Sequence, residues 1–148
     1  MADLITEAAN GSIAKGARVL CGGKPVEGKG AFYMPTVLSG VTQGMPAFDD
    51  ETFGPVAAIT RVPDLDAAVT AANASQFGLS GNLWTRNVEL ARKIARDLYT
   101  GGVFINGVTA SDPRVPVGGV KNSGYGRELS HFGLHAFVNP QTVWIESL

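Results

Sequence analysis

Between Pro55 and Asn106 the hydrophobic pattern repeatedly changes period, and that alternation narrows the folds open to this chain. Pro55-Val-Ala-Ala-Ile-Thr60 reads as a buried strand. Asp64 follows at a helix N-cap position, where a carboxylate accepts amide hydrogens that the first turn leaves unpaired. Leu65, Ala68, Val69 and Ala72 then recur at i, i+3, i+4 and i+7, the apolar stripe of a helix. Leu79 to Trp84 reads as the next strand. Leu90, Ala91, Ile94, Ala95 and Leu98 stripe a second helix, with Arg92, Lys93, Arg96 and Asp97 on its wet side. Gly102-Val-Phe-Ile-Asn106 is a third strand. Strand, helix, strand, helix, strand predicts an α/β chain with parallel pairing and right-handed crossovers.

The flanks are less regular. Residues 3–15 have helical character that Asn10-Gly11-Ser12 interrupts. Arg18-Val-Leu-Cys21 reads as a short strand stopped by Gly22-Gly23, and Lys24 to Gly30 as a polar turn. Phe32 to Val41 is mostly extended, and Pro35 predicts an edge or irregular strand because it lacks an amide donor. Gly107 to Arg127 is a long loop rich in Gly, Pro and Ser, a length usually reserved for function. A short helix around Ser130–Phe137 and a strand over Thr142–Ile145 complete the reading.

Composition excludes several partners. The 148 residues carry 12 basic and 13 acidic side chains, so no charge excess points to nucleic acid or an anionic membrane. No apolar run approaches the roughly 20 residues of a membrane span. Met1 to Glu7 lacks the basic-then-apolar pattern of a signal peptide. A single cysteine forms no internal disulfide, which fits a reducing, cytoplasmic setting. No repeat or linker divides the chain.

Two motifs carry the chemistry: Glu51-Thr-Phe-Gly-Pro55 and Pro116-Val-Gly-Gly-Val-Lys-Asn-Ser-Gly-Tyr-Gly-Arg-Glu128. Gly16-Ala-Arg-Val-Leu-Cys-Gly-Gly23, Asn73-Ala-Ser-Gln-Phe-Gly-Leu-Ser-Gly81 and Gly101-Gly-Val-Phe-Ile-Asn106 add further blocks. In this order they resemble the closing third of an NAD(P)-dependent aldehyde dehydrogenase, over about Gly16 to Glu146, and most nearly the succinate-semialdehyde branch. The resemblance implies the C-terminal part of that catalytic domain, a parallel sheet flanked by helices. Residues 1–139 would be partial catalytic domain and residues 140–148 an oligomerisation strand. The run Gln141–Glu146, with Trp144 at its centre, would then add to a sheet shared with a neighbouring subunit and make a homo-oligomer.

The same resemblance implies roles. Read from the residues alone, Glu51 is a surface acid and Phe53 a core aromatic beside a turn. The family match assigns Glu51 to the hydroxyls of the nicotinamide ribose and Phe53 to packing near the nicotinamide ring of NAD or NADP. An ionised carboxylate is a bidentate acceptor suited to adjacent hydroxyls. Ser111 reads either as an ordinary loop serine or, by its offset of five before Pro116, as a donor to the distal carboxylate of a semialdehyde substrate. Arg114 is a further candidate for that acid group, although an arginine in a loop is more often just solvated. Val117 stands where the family usually has a Phe walling the aldehyde pocket, which implies either a wider pocket or relaxed selection on it. Lys121 to Glu128 reads as structural, with Arg127 and Glu128 anchoring the loop by ion pairing.

In the family, the nucleophilic Cys, the general-base Glu, the oxyanion Asn and the Rossmann domain all precede this region. Their chemistry is attack of a thiolate on the aldehyde, hydride transfer to nicotinamide, and hydrolysis of the thioester. Cys21 lies outside the nucleophile motif and reads as a buried, inert thiol. His131 and His135 share a helical face but lack an intervening Glu or third ligand, so no metal site is expected. The 148-residue chain alone is therefore expected to be inactive. The choice between NAD and NADP is left open. A truncated, non-catalytic folding or assembly module is the alternative reading.

Overall fold

The computed structural model describes residues 2–147. Met1 and Leu148, the outer ends of the two expected regions, lie outside the described residues. The chain forms two compact units that divide between Ser75 and Gln76.

The first unit opens with helix α1 (Ala2–Ala14), followed by strands β1 (Arg18–Cys21) and β2 (Thr36–Ser39), helix α2 (Pro46–Asp49), strand β3 (Val56–Ile59) and helix α3 (Leu65–Ala74). Contrary to the expected interruption, α1 runs through Asn10-Gly11-Ser12 unbroken. The reason is tertiary. A Cβ at Gly11 would stand 3.0 Å from Pro46 Cγ, so glycine permits the close approach of α2. Ser12 is fully buried. Its Oγ donates to the Ala8 carbonyl at 2.8 Å and accepts from the Ala47 amide at 2.8 Å. Residues weak in an isolated helix are here the ones that join two helices. Ala9, Ala17, Leu38, Val41 and Met45 form the core beside this contact.

The sheet order is β1-β2-β3. β2 pairs with β1 antiparallel and with β3 parallel, in the register Thr36↔Val56 to Ser39↔Ile59. β2 is thus the central strand, not the edge that Pro35 suggested. Pro35 stands just before the strand, where its missing amide costs no ladder bond. Gly22 has φ +70°, and a Cβ there would collide with the Pro35 carbonyl oxygen. Thr36, only 2% exposed, closes the same corner: its Oγ1 accepts from the Gly23 amide at 2.7 Å and donates to the Met34 carbonyl at 2.7 Å. β3, expected to be buried, is the other edge of this sheet, and Ala57, Ala58 and Ile59 are exposed. Asp64 caps α3 as the sequence predicts, accepting from the Ala67 amide at 2.8 Å.

The second unit contains β4 (Phe77–Gly78), β5 (Ser80–Leu83), helix α4 (Val88–Ile94), β6 (Gly102–Ile105), β7 (Val120–Lys121) and helix α5 (Ser130–His135). β5, α4 and β6 make a parallel crossover unit, in the register Ser80↔Gly102 to Leu83↔Ile105. Asn87 caps α4 by accepting from the Leu90 amide at 3.0 Å. β4 and β7 form a separate antiparallel pair, so the long loop contains a strand that its composition concealed. β3 and β5 belong to different sheets.

Residues 139–147 carry no helix or strand. The strand expected over Thr142–Ile145 is not formed, and no partner strand meets it among the described residues. Trp144 is 83% exposed, with Val143 and Ile145 exposed beside it.

Candidate functional site

Glu51 and Phe53 lie in the first unit, on the connection between α2 and β3. The connection is held at both ends. The Asp50 amide donates to the Pro46 carbonyl at 2.9 Å, ending α2, and the Thr36 amide donates to the Pro55 carbonyl at 2.8 Å, joining the connection to β2. The Gly54 amide closes a tight turn onto the Thr52 carbonyl at 2.9 Å. Within this frame exposure alternates. Glu51 is exposed and makes no hydrogen bond or ion pair among the described residues, Thr52 is half-buried, and Phe53 is 70% exposed. Among the described residues the Phe53 ring is not packed into a core, and it stands beside a carboxylate with no partner. The Thr52 hydroxyl between them is buried without a partner among the described residues.

Ser111 and Val117 lie in the second unit and share the wall of one cavity of about 650 Å³, with Phe104, Thr109, Tyr125 and Arg127. Ser111 is exposed, and its hydroxyl has no partner among the described residues. Val117 is held by reciprocal backbone bonds with Glu128, at 2.9 and 2.8 Å. The far end of the loop is tied down as well. The Gly78 amide donates to Ser123 Oγ at 3.0 Å, and Asn122 Nδ2 donates to Gln76 Oε1 at 2.9 Å. The cavity is therefore bounded by a loop with fixed anchor points.

Arg127 and Arg114 both find partners within their own loop. Arg127 does not pair with Glu128. Its Nη1 donates to the Gly119 carbonyl at 2.9 Å and to the Gly126 carbonyl, so the guanidinium ties the loop to itself. Arg114 is taken by its own loop: Nε and Nη2 donate to the two oxygens of Asp112 at 2.9 and 2.6 Å, and the Arg114 amide adds a third bond at 2.9 Å. The Arg114 side chain, then its amide, hold the Asp112 carboxyl below its ordinary value, and Asp112 raises Arg114 in turn. Arg114 lies outside the cavity that Ser111 lines.

Cys21 is exposed, correcting the buried reading. It ends an edge strand whose four residues are all exposed. The His131 ring stacks on Phe132 at 4.2 Å and meets His135 edge-on at 6.0 Å. No group of three or more His, Cys, Asp or Glu side chains gathers at metal-binding spacing among the described residues.

Thr109 and Phe104 line the cavity although sequence reasoning singled out neither. Thr109 is bonded to a residue 27 positions away, and a contact of that span leaves no local pattern to read.

The sequence model of the aldehyde dehydrogenase family matches residues 2–143. The chain belongs to the aldehyde dehydrogenase family. It is 57% identical over 133 residues to the succinate semialdehyde dehydrogenase [NAD(P)+] of Escherichia coli strain K12, covering 90% of this chain and 29% of that protein. It is 47% identical over 145 residues to the succinate-semialdehyde dehydrogenase [NADP(+)] of Mycobacterium avium, covering 98% of this chain and 31% of that one. The crystal structure of succinic semialdehyde dehydrogenase from Streptococcus pyogenes in complex with NADP+ superposes with a TM-score of 0.91 at 37% identity, covering 99% of this chain and 33% of that one. The chain thus spans between 29% and 31% of the length of these curated aldehyde dehydrogenase relatives, and corresponds to a C-terminal portion of the family.

Proposed function

We propose that this chain serves as the C-terminal part of a succinate-semialdehyde dehydrogenase, which oxidises the aldehyde to the acid with NAD or NADP. The observation that carries the reading is the unpartnered Ser111 hydroxyl on the wall of the cavity that Val117 shares. The names of the similar enzymes from Escherichia coli and Mycobacterium avium support it.

The residues fit a nicotinamide cofactor. Glu51 has an uncommitted carboxylate that accepts hydrogen bonds from adjacent ribose hydroxyls. Phe53 offers an exposed ring against which a flat heterocycle packs. The cofactor, when bound, supplies the acceptor for the two electrons that aldehyde oxidation releases. This chain's part is to orient: Glu51 fixes the ribose, Phe53 limits where the nicotinamide lies, and Ser111 donates to the carboxylate at the far end of the substrate. Val117 leaves more room at the cavity wall than a phenylalanine would.

Ser111→Ala in the full-length enzyme tests the reading. Reduced nicotinamide is followed at 340 nm with succinate semialdehyde and with butanal, an uncharged aldehyde of equal chain length. The expected loss is greater on succinate semialdehyde, the only one with a carboxylate to hold. Equal losses on both would remove Ser111 from the substrate site.

The same reading makes residues 140–148 a strand added to a neighbouring subunit of a homo-oligomer. Exposed Val143, Trp144 and Ile145, unpaired among the described residues, support it. Removing residues 140–148 should lower the mass measured by light scattering, and an unchanged mass would assign the assembly to another surface.

A further inference from the structure

Where the long loop leaves β6, it is laced to β5 by a chain of side-chain hydrogen bonds. Asn82 Nδ2 donates to the Gly107 carbonyl at 3.0 Å, which fixes the orientation of the Asn82 amide. Asn82 Oδ1 therefore faces the other way and accepts from Thr109 Oγ1 at 2.9 Å. A threonine hydroxyl has one proton, and it is spent on Asn82. The remaining contact, Ser80 Oγ to Thr109 Oγ1 at 3.0 Å, must then have Ser80 as donor. The order is Ser80 to Thr109 to Asn82, with Asn82 closing onto Gly107.

This arrangement follows from strand geometry. Ser80 and Asn82 are two apart on β5, so both project from one face. β6 runs parallel beside β5, and its continuation crosses that face. Thr109 enters between the two polar side chains and uses both its acceptor and its donor capacity. It also lines the cavity with Ser80 and Ser111. Ser111 follows two residues later and has no hydrogen bond of its own among the described residues, so the nearest side-chain anchor before it is Thr109.

The geometry points to Thr109 as a positioning residue for substrate recognition: its hydroxyl, held between Ser80 and Asn82, sets where Ser111 presents its own hydroxyl to the substrate carboxylate. This rests on the assignment of Ser111 to a semialdehyde's carboxylate made above. Thr109 touches no reacting atom in this role. It acts by limiting the positions open to the backbone that carries Ser111, which preserves a hydrogen bond that a loosened loop would make only part of the time.

The test uses the full-length enzyme with Thr109→Val, Thr109→Ser and Ser80→Ala, assayed on succinate semialdehyde and butanal, with the thermal midpoint of each variant measured alongside. Val keeps the shape and removes the hydroxyl. Thr109→Val should raise KM for succinate semialdehyde about tenfold, the equivalent of one lost hydrogen bond to a charged group, with a smaller rise for butanal and the loss falling on KM more than kcat. Thr109→Ser should restore most of the discrimination, since the relay needs only the hydroxyl. Ser80→Ala should shift the KM ratio in the same direction by a smaller factor, and it serves if the valine variant does not fold. Equal KM increases on both aldehydes, or a serine variant that discriminates no better than valine, would overturn the role of Thr109 while leaving that of Ser111 intact. A wild-type enzyme with no preference for the carboxylated aldehyde would overturn the assignment of Ser111 and this proposal with it.

Discussion

Thr85 and Asn106 exchange two hydrogen bonds: the Thr85 amide donates to Asn106 Oδ1 at 2.8 Å, and Asn106 Nδ2 donates to the Thr85 carbonyl at 2.8 Å. The side chain of Asn106 thus copies a backbone peptide and extends the β5–β6 pairing past its last residues. Asn106 itself sits at φ 55°, in the left-handed region that asparagine tolerates better than most residues. One residue therefore ends β6, turns the chain and starts the cavity loop.

Asn106→Ala should destabilise the chain by about 1–2 kcal/mol, from two lost hydrogen bonds at an exposed site with some added backbone strain. Asn106→Gly should recover the backbone part only. Urea midpoints for the three proteins check this, and an alanine variant as stable as wild type would show that the exchange contributes nothing in solution.

Ser12→Ala separates helix propensity from tertiary contact. Propensity alone ranks alanine as the better helix residue by a few tenths of a kcal/mol. The structure sets against that the Ala47 amide, which would lose its buried acceptor at roughly 1–3 kcal/mol. The expected result is a lower unfolding midpoint. A raised midpoint would mean that the α1–α2 contact does not depend on this hydroxyl.

Glu51→Gln should weaken cofactor binding in the full-length enzyme by about ten- to hundredfold, the range of a lost charge-assisted contact. Because Glu51 is exposed and unpaired among the described residues, the thermal midpoint should stay in place. Cofactor titration by fluorescence quenching reads the first quantity and scanning calorimetry the second. Unaltered affinity would take Glu51 out of the cofactor site.

Asp112 should report on its own turn. Its folded pKa lies below the unfolded one, so the stabilisation is present above the unfolded value and is lost as pH falls through the folded value. The pair is exposed, so added salt should weaken it. NMR titration of the Asp112 carboxyl should give a midpoint below an ordinary aspartate's, moving up in Arg114→Ala. A midpoint that ignores this substitution would show that the fork is not populated in solution.

Local chemistry was legible wherever the determining contacts lie a few residues apart. The Asp64 cap, the strands β1, β3, β5 and β6, the helices α3 and α4 and the α/β class all follow from period, caps and glycine punctuation over short windows. The motif around Glu51 and the loop from Ser111 to Val117 were visible because their residue types recur in a known order. Tertiary structure alone decided the rest. α1 continues through Gly11-Ser12 because Pro46 and Ala47 meet it from 35 positions away, and β2 is central although Pro35 precedes it. Arg127 turns to carbonyls instead of Glu128 because the loop folds back within its reach. The side-chain contacts of Thr109 come from β5, which no local window contains. Propensity and period depend on near neighbours along the chain, whereas hydrogen-bond partners depend on which distant segments the fold brings within 3 Å, and only the folded chain sets those distances.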